Sequence, residues 1–281
     1  MYKAFNPRMV ALPNVTFDET IALAAQNGFS AIEFDPIEIV SQHGLNGSQD
    51  IMAKSGVTVS SFGLPVNVQA GAAQFDETFG KLESYARAAS ALGIRRSCTY
   101  IFSWSDELPF AENFRVHVKR LRACAEVYKD YGIQFGLEFL GPQTLYVGKA
   151  HEFIHTLSGM LELCDAVGTG NMGIMLDAYH MYSAGMDVTD LSAFSDESQI
   201  VTVHINDAKK GQSLETLPDT LRYLPGEGGG IDLKGFLSAL ESFGYTGPVI
   251  VEPFSEKLKA MDDPAQIAKI VGDSIQSVWV S

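Results

Sequence analysis

The chain has 281 residues, of which 46% are hydrophobic and 19% charged, and its net charge is −14. That is enough apolar material for a large buried core and too much for a disordered chain. The acidic balance argues against nucleic acid, which draws most of its affinity from a basic face, and no apolar run approaches the roughly 20 residues that span a bilayer. The opening MYKAFNPRMV lacks the apolar core and small-residue cleavage site of a signal peptide. Cys98, Cys124 and Cys164 are few, odd in number and widely spaced. They read as free thiols of a cytoplasmic protein rather than as a disulfide framework.

Taken in chain order, short apolar runs alternate with amphipathic stretches. Residues 2–6 read as a strand and 16–27 as a helix, with Thr16 and Glu19 forming a capping box and Gly28 the stop. A strand over 31–35, a weaker helix over 47–55 and a strand over 57–63 follow. Then come a long helix over 73–92, a strand over 97–102 and a helix over 110–130. The second half reads as strand 133–139, helix 150–166, strand 172–176, short helix 180–194 and strand 199–206. A long loop over 207–230, helix 232–243, strand 248–254 and helix 263–278 complete the pattern. Eight strand–helix units of near-continuous apolar strands imply a single (β/α)8 TIM barrel, one domain over 1–281. An open doubly wound sheet would carry a G-x-G-x-x-G turn after its first strand, and FNPRMVALPN has none.

In such a barrel the C-terminal strand ends form the active-site mouth. Glu138 ends the fifth strand, Asp177 the sixth, His204 lies late in the seventh, and Glu252 follows the apolar run of the eighth. Each has an ordinary reading when taken alone. Glu138 is then an ion-paired acid, Asp177 a helix N-cap and His204 a core histidine, while Glu252 is hardest to dismiss because an unpaired buried charge is costly. Together they read as one divalent-metal site, because three carboxylates at one rim raise each other's pKa unless a cation sits among them. Oxygen and imidazole donors without a thiolate suit Mn²⁺, our first choice, or Mg²⁺, Co²⁺ or Zn²⁺. His180, about one turn past Asp177, reads as a substrate hydroxyl contact or as a surface histidine. Trp104 and Phe62 are candidate apolar walls for a sugar ring, or ordinary core. The PGEGGG segment reads as a flexible turn in preference to a phosphate cradle.

Glu138 in LEF, Asp177-x-x-His180, His204-x-x-Asp207, PGEGGGID at 225–232 and Glu252 in VEP together resemble the xylose isomerase-like TIM barrel superfamily. Its members include ketose 3-epimerases, hydroxypyruvate isomerases, inosose dehydratases and the endonuclease IV type. The resemblance implies one divalent metal held by Glu138, Asp177, His204 and Glu252, with Asp207 supporting the ligands from behind. In the epimerase branch the residues matching Glu138 and Glu252 are the acid/base pair, and the one matching His180 contacts substrate oxygens. That branch commonly has an arginine six residues after the strand-seven histidine. Lys210 stands there in this chain, with Arg222 as a possible substitute from the long loop. The endonuclease branch needs extra histidines and an Asp-x-His after strand seven. Here His117, His151 and His155 fall in stretches read as helical, and 207–230 has no Asp-x-His.

The implied activity is a sugar or sugar-phosphate isomerase or epimerase that moves a proton at the carbon alpha to a carbonyl. The same site could instead dehydrate a cyclic polyol or keto acid. A barrel keeping its metal as a non-catalytic binding subunit is the alternative of another class. The expected partner is a small sugar or polyol, with no nucleic acid, no membrane and a possible homo-oligomer.

Overall fold

Eight parallel strands hydrogen-bond in succession, and the last pairs with the first to close a barrel. In the computed structural model, which describes residues 1–280, these are β1 (Tyr2–Phe5), β2 (Ala31–Glu33), β3 (Thr58–Gly63) and β4 (Arg96–Ile101). They are followed by β5 (Gln134–Phe139), β6 (Met172–Asp177), β7 (Ile200–Ile205) and β8 (Pro248–Val251). Ala4 opposite Ile250 makes the closure. Every residue of β7 and β8 is buried, as expected of strands enclosed on one side by the barrel interior and on the other by helices. The main core lies in that outer layer, where Phe62, Tyr128 and Phe135 meet edge to face.

The helix over Phe17–Gln26 has the expected capping box from Thr16 and Glu19. Elsewhere the boundaries move, each time for a local reason. The second helix runs over Pro36–Ser55, not 47–55, because Asp35 caps it and Pro36 opens it. Gly44, at φ 67°, kinks it midway and hides its first half from a periodicity reading. The stretch 73–92 breaks at Gly80 into helices Ala72–Phe79 and Leu82–Ala91. The helix expected from 150 starts at Leu157, capped by Thr156. The residues before it, His151–Glu152, form a two-stranded antiparallel ribbon with Trp104–Ser105. The short helix after β6 is Ala178–Ser183, and a 3₁₀ turn over Val188–Ala193 replaces its expected continuation. Among the described residues no helix is long and apolar enough to cross a membrane.

Candidate metal centre

Strands β5 to β8 bring their polar side chains to one rim. Glu138 and His204 are each the fifth residue of their strand, Asp177 ends β6, and Glu252 follows β8 directly. The register puts Asp177 opposite His204, and the Glu252 amide donates to the Ile205 carbonyl. One ligand atom from each of the four lies within 4.8 Å of the others, and all four side chains are buried. Among the described residues this is the one such group of His, Cys, Asp and Glu.

The residues fit a divalent cation. Glu138 Oε1 and both ring nitrogens of His204 have no hydrogen-bond partner. His204 Nδ1 stands 3.4 Å from Glu252 Oε2 and 3.8 Å from Glu138 Oε1, aligned as a hydrogen bond to neither. Each buried polar atom left alone costs about 1–3 kcal/mol, so Glu138 Oε1 and the His204 nitrogen that faces the carboxylates call for a common partner. Hard oxygen donors with one imidazole match the ions expected.

The charges are frustrated in the same way. Burial, with Glu252 and Asp177 close by, pushes the Glu138 carboxyl well above the usual range. Burial raises Asp177 to about 6 against the opposing pull of Arg222. At Glu252 burial is outweighed by Arg222 and His204, which hold the carboxylate ionised. At His204 burial is outweighed by the carboxylates of Glu252 and Glu138, which raise it to about 10. A cation among the four would let all three carboxylates ionise together and would take the place of the imidazole proton.

Asp177 has two duties. Its Oδ1 caps the following helix by accepting from the Tyr179 amide at 2.6 Å, and Asn206 Nδ2 donates to both its oxygens at 3.2 Å. The ordinary N-cap reading and the ligand reading therefore hold together. His180 is buried, and its Nδ1 accepts from the Gly141 amide at 3.2 Å. A side chain at Gly141 would collide with the His180 carbonyl, so the chain leaving β5 can approach this closely only as glycine. The His180 Nε2 lies 3.2 Å from Arg222 Nη2, a group that only donates, and 3.9 Å from Glu138 Oε1 and 3.8 Å from Asp219 Oδ1. Burial and Arg222 keep the ring neutral.

Arg222, expected as a loop contact to substrate, lies inside the site at 3% exposure. Its Nη1 donates to Asp177 Oδ2 at 2.8 Å and Glu252 Oε2 at 2.9 Å. Nε and Nη2 donate to the carbonyl and carboxylate of Asp219. The guanidinium lies 4.8 Å from the rings of both Tyr179 and Phe254.

Several expectations are corrected. Asp207 does not touch the candidate ligands. Its carboxylate accepts from the amides of Ala208, Gly228, Gly229, Gly230 and Ile231 at 2.7–3.1 Å. The PGEGGG segment is therefore neither a flexible turn nor a vacant phosphate cradle, because its amides already bind an internal anion. Lys210 is exposed, and its one hydrogen bond is from its backbone to the Gly228 carbonyl. Phe62 packs outward on Tyr128, 5.8 Å between centroids, whereas its neighbour Ser61 reaches Glu33. Strand alternation sends the two to opposite faces. His151 and His155 are not helical: the first is in the ribbon and the second stacks on Tyr146. Trp104 is half-buried in the ribbon against Phe102, and lines a cavity of about 420 Å³ with Gln69, His117 and Arg120. That cavity includes none of the four candidate ligands.

The sequence reading missed Glu33, Asn206 and Asp219. Glu33 Oε1 accepts from Asn6 and Oε2 from Ser61, both at 2.7 Å. It lines a cavity of about 540 Å³ over the ends of β1 to β3, together with Asn6, Gly63, Lys81, Tyr85 and Phe254. A carboxylate closing an apolar run, as in AIEF, is the same signal that pointed to Glu252.

The profile of the family described as xylose isomerase-like TIM barrel matches residues 21–276. An inosose isomerase of Halalkalibacterium halodurans is 31% identical over 183 residues, 65% of this chain and 61% of that relative. The chain thus spans under two thirds of that relative's length, and matches to three Bacillus proteins of the same name cover under half of theirs. Other relatives bear the names ketose 3-epimerase, probable endonuclease 4 and 3-dehydroshikimate dehydratase. A xylose isomerase domain protein from Alicyclobacillus acidocaldarius superposes with a TM-score of 0.86 at 26% identity, over 99% of this chain and 98% of that one. A structure titled as the IOLI protein with a binding zinc atom gives 0.81 at 22% identity, over 99% and 98%. With the closed eight-stranded barrel and the rim cluster in place, the chain belongs to the xylose isomerase-like TIM barrel family.

Proposed function

We propose that the chain is a divalent-metal-dependent isomerase or epimerase of a sugar or polyol carbonyl compound, moving a proton at the carbon alpha to the carbonyl. The observation that carries this reading is the buried cluster of Glu138, Asp177, His204 and Glu252, with three of its atoms unpartnered. These four residues would hold the ion. When bound, a divalent ion there supplies Lewis acidity to a carbonyl and its neighbouring hydroxyl, favouring loss of the proton between them.

Glu138 and Glu252 stand on β5 and β8, separated along the rim by β6 and β7. They approach a molecule in the mouth from different sides, so one can take a proton from one face while the other returns one to the opposite face. His180 stands on the same side, beside Arg222, and contacts a substrate hydroxyl. Tyr179 and Phe254, flanking Arg222, exclude water from that side, which strengthens each polar contact. The relatives named inosose isomerase and ketose 3-epimerase support the reaction class.

The test is solvent-deuterium incorporation into a panel of ketoses and inososes by metal-loaded protein, with a chelated control. Wash-in at an alpha carbon that chelation abolishes is the expected result. A product lighter by one water, without an epimer or isomer, would move the assignment to a dehydratase.

A further inference from the structure

The cavity beside the cluster carries information about the substrate's charge. Resting on the isomerase or epimerase reading above, we infer that the site is built for an uncharged polyhydroxy carbonyl compound, and that Glu33 is the residue that rejects phosphorylated or carboxylated ones.

The cavity and the metal centre adjoin at Phe254, which lines the cavity and whose ring lies 4.8 Å from the Arg222 guanidinium. Glu33 lines the cavity at the end of β2, and its charge acts on His204. Asn6 and Ser61 give it one hydrogen bond per oxygen. A carboxylate oxygen has two acceptor positions, so each can take one more donor. A hydroxyl group supplies such a donor. A phosphate or carboxylate supplies none and adds like charge in a poorly screened space.

Of the two cations that line the cavity, Arg8 is held by Glu38 through two contacts of 2.6 and 2.7 Å, and Lys81 is exposed to solvent, loosely paired with Glu77 at 3.6 Å, so water screens its charge. Arg222 spends its donors on Asp177, Glu252 and Asp219, with His180 beside it. The mouth thus sets the carboxylates of Glu33, Glu138, Asp177, Asp219 and Glu252 against one guanidinium and, when bound, one divalent ion. The balance stays negative. The place where barrels of this class often hold phosphate, the loop after β7, is closed as well. The amides of Gly228, Gly229, Gly230 and Ile231 all donate to Asp207.

The experiment compares pairs that differ only in charge: D-xylulose with D-xylulose 5-phosphate, D-fructose with D-fructose 6-phosphate, and a neutral ketose with its 2-oxo acid. Deuterium wash-in gives kcat/KM for each, and calorimetric titration of the metal-loaded protein gives affinity independently of turnover. The neutral member is expected to be favoured by about tenfold or more. In Glu33→Gln that preference shrinks about tenfold, whereas a Glu33 that only ties Asn6 to Ser61 would leave the ratio unmoved. Equal or better binding and turnover of the anionic member by the unaltered protein overturns the inference while leaving the reaction class standing. Absence of wash-in from every pair sinks the reaction class instead, and the titration then still decides the charge preference.

Discussion

The two halves of the barrel rim are built from different chemistry. From β5 to β8 each strand ends in an acid or a histidine, packed until ligand atoms lie within 4.8 Å of one another. From β1 to β4 the ends carry Asn6, Glu33, Gly63 and the aromatic run Tyr100, Phe102 and Trp104, and they enclose open volume. Glycine at position 63 adds no side chain to that space, and the kinked helix over Pro36–Ser55 lies on the same side of the chain order. One half is dense and charge-frustrated. The other is roomy and leaves its acceptors half-used. In an evenly repeated fold, function comes from breaking the repeat.

Substitutions can test this division, beginning with the largest effect. Glu252→Gln removes a proton-transfer group from the dense half and should lower kcat by about 10²–10⁴, the usual worth of general acid–base catalysis. Steady-state turnover on any substrate found by wash-in measures it. His180→Ala should cost about 10–100-fold in kcat/KM through a lost hydroxyl contact, while metal content stays unchanged. If it also stripped the metal, the separation of ligands from substrate contacts along Asp177–His180 would be wrong.

Metal affinity should depend on pH with a definite sign. Asp177 is raised to about 6 by burial, so below that pH the ion must displace its proton. The apparent Kd should therefore weaken by at least about tenfold from pH 7 to pH 5, Asp177 giving about tenfold and the protons on His204 and Glu138 adding to it. A competition titration with a fluorescent chelator reads it, and a flat profile would mean that the cluster carries no protons for the ion to displace. The smallest effect belongs to the helix layer. Phe62→Leu should cost about 1 kcal/mol of stability in denaturant melts and leave KM alone, since its ring faces Tyr128. A changed KM would return Phe62 to the substrate face.

How much the sequence revealed follows the same division. The four candidate ligands were legible as a group because each is a polar residue at or near the end of an apolar run, a pattern with few structural excuses when it occurs four times. Glu33 carried the same signal on a three-residue strand, too short to stand out. The role of Asp207 was not legible, because it depends on four amides about 20 residues away in sequence. Arg222 was read as a candidate, but its depth in the site comes from how the loop 207–230 folds back, with Asp207 bridged to Tyr223 and Lys209 to Gly229. The ribbon of Trp104–Ser105 with His151–Glu152 is likewise a pairing between distant residues. Local propensity in 150–156 gave no hint of it.

The most direct test of the central claim is metal stoichiometry measured by elemental analysis after loading with Mn²⁺, Co²⁺ or Zn²⁺ and desalting, for the unaltered protein beside Asp177→Asn and His204→Ala. The account predicts one equivalent per chain in the former and a sharp loss in both variants, with the fold retained by circular dichroism. An unaltered protein that holds no metal, or variants that keep the full equivalent, would contradict it.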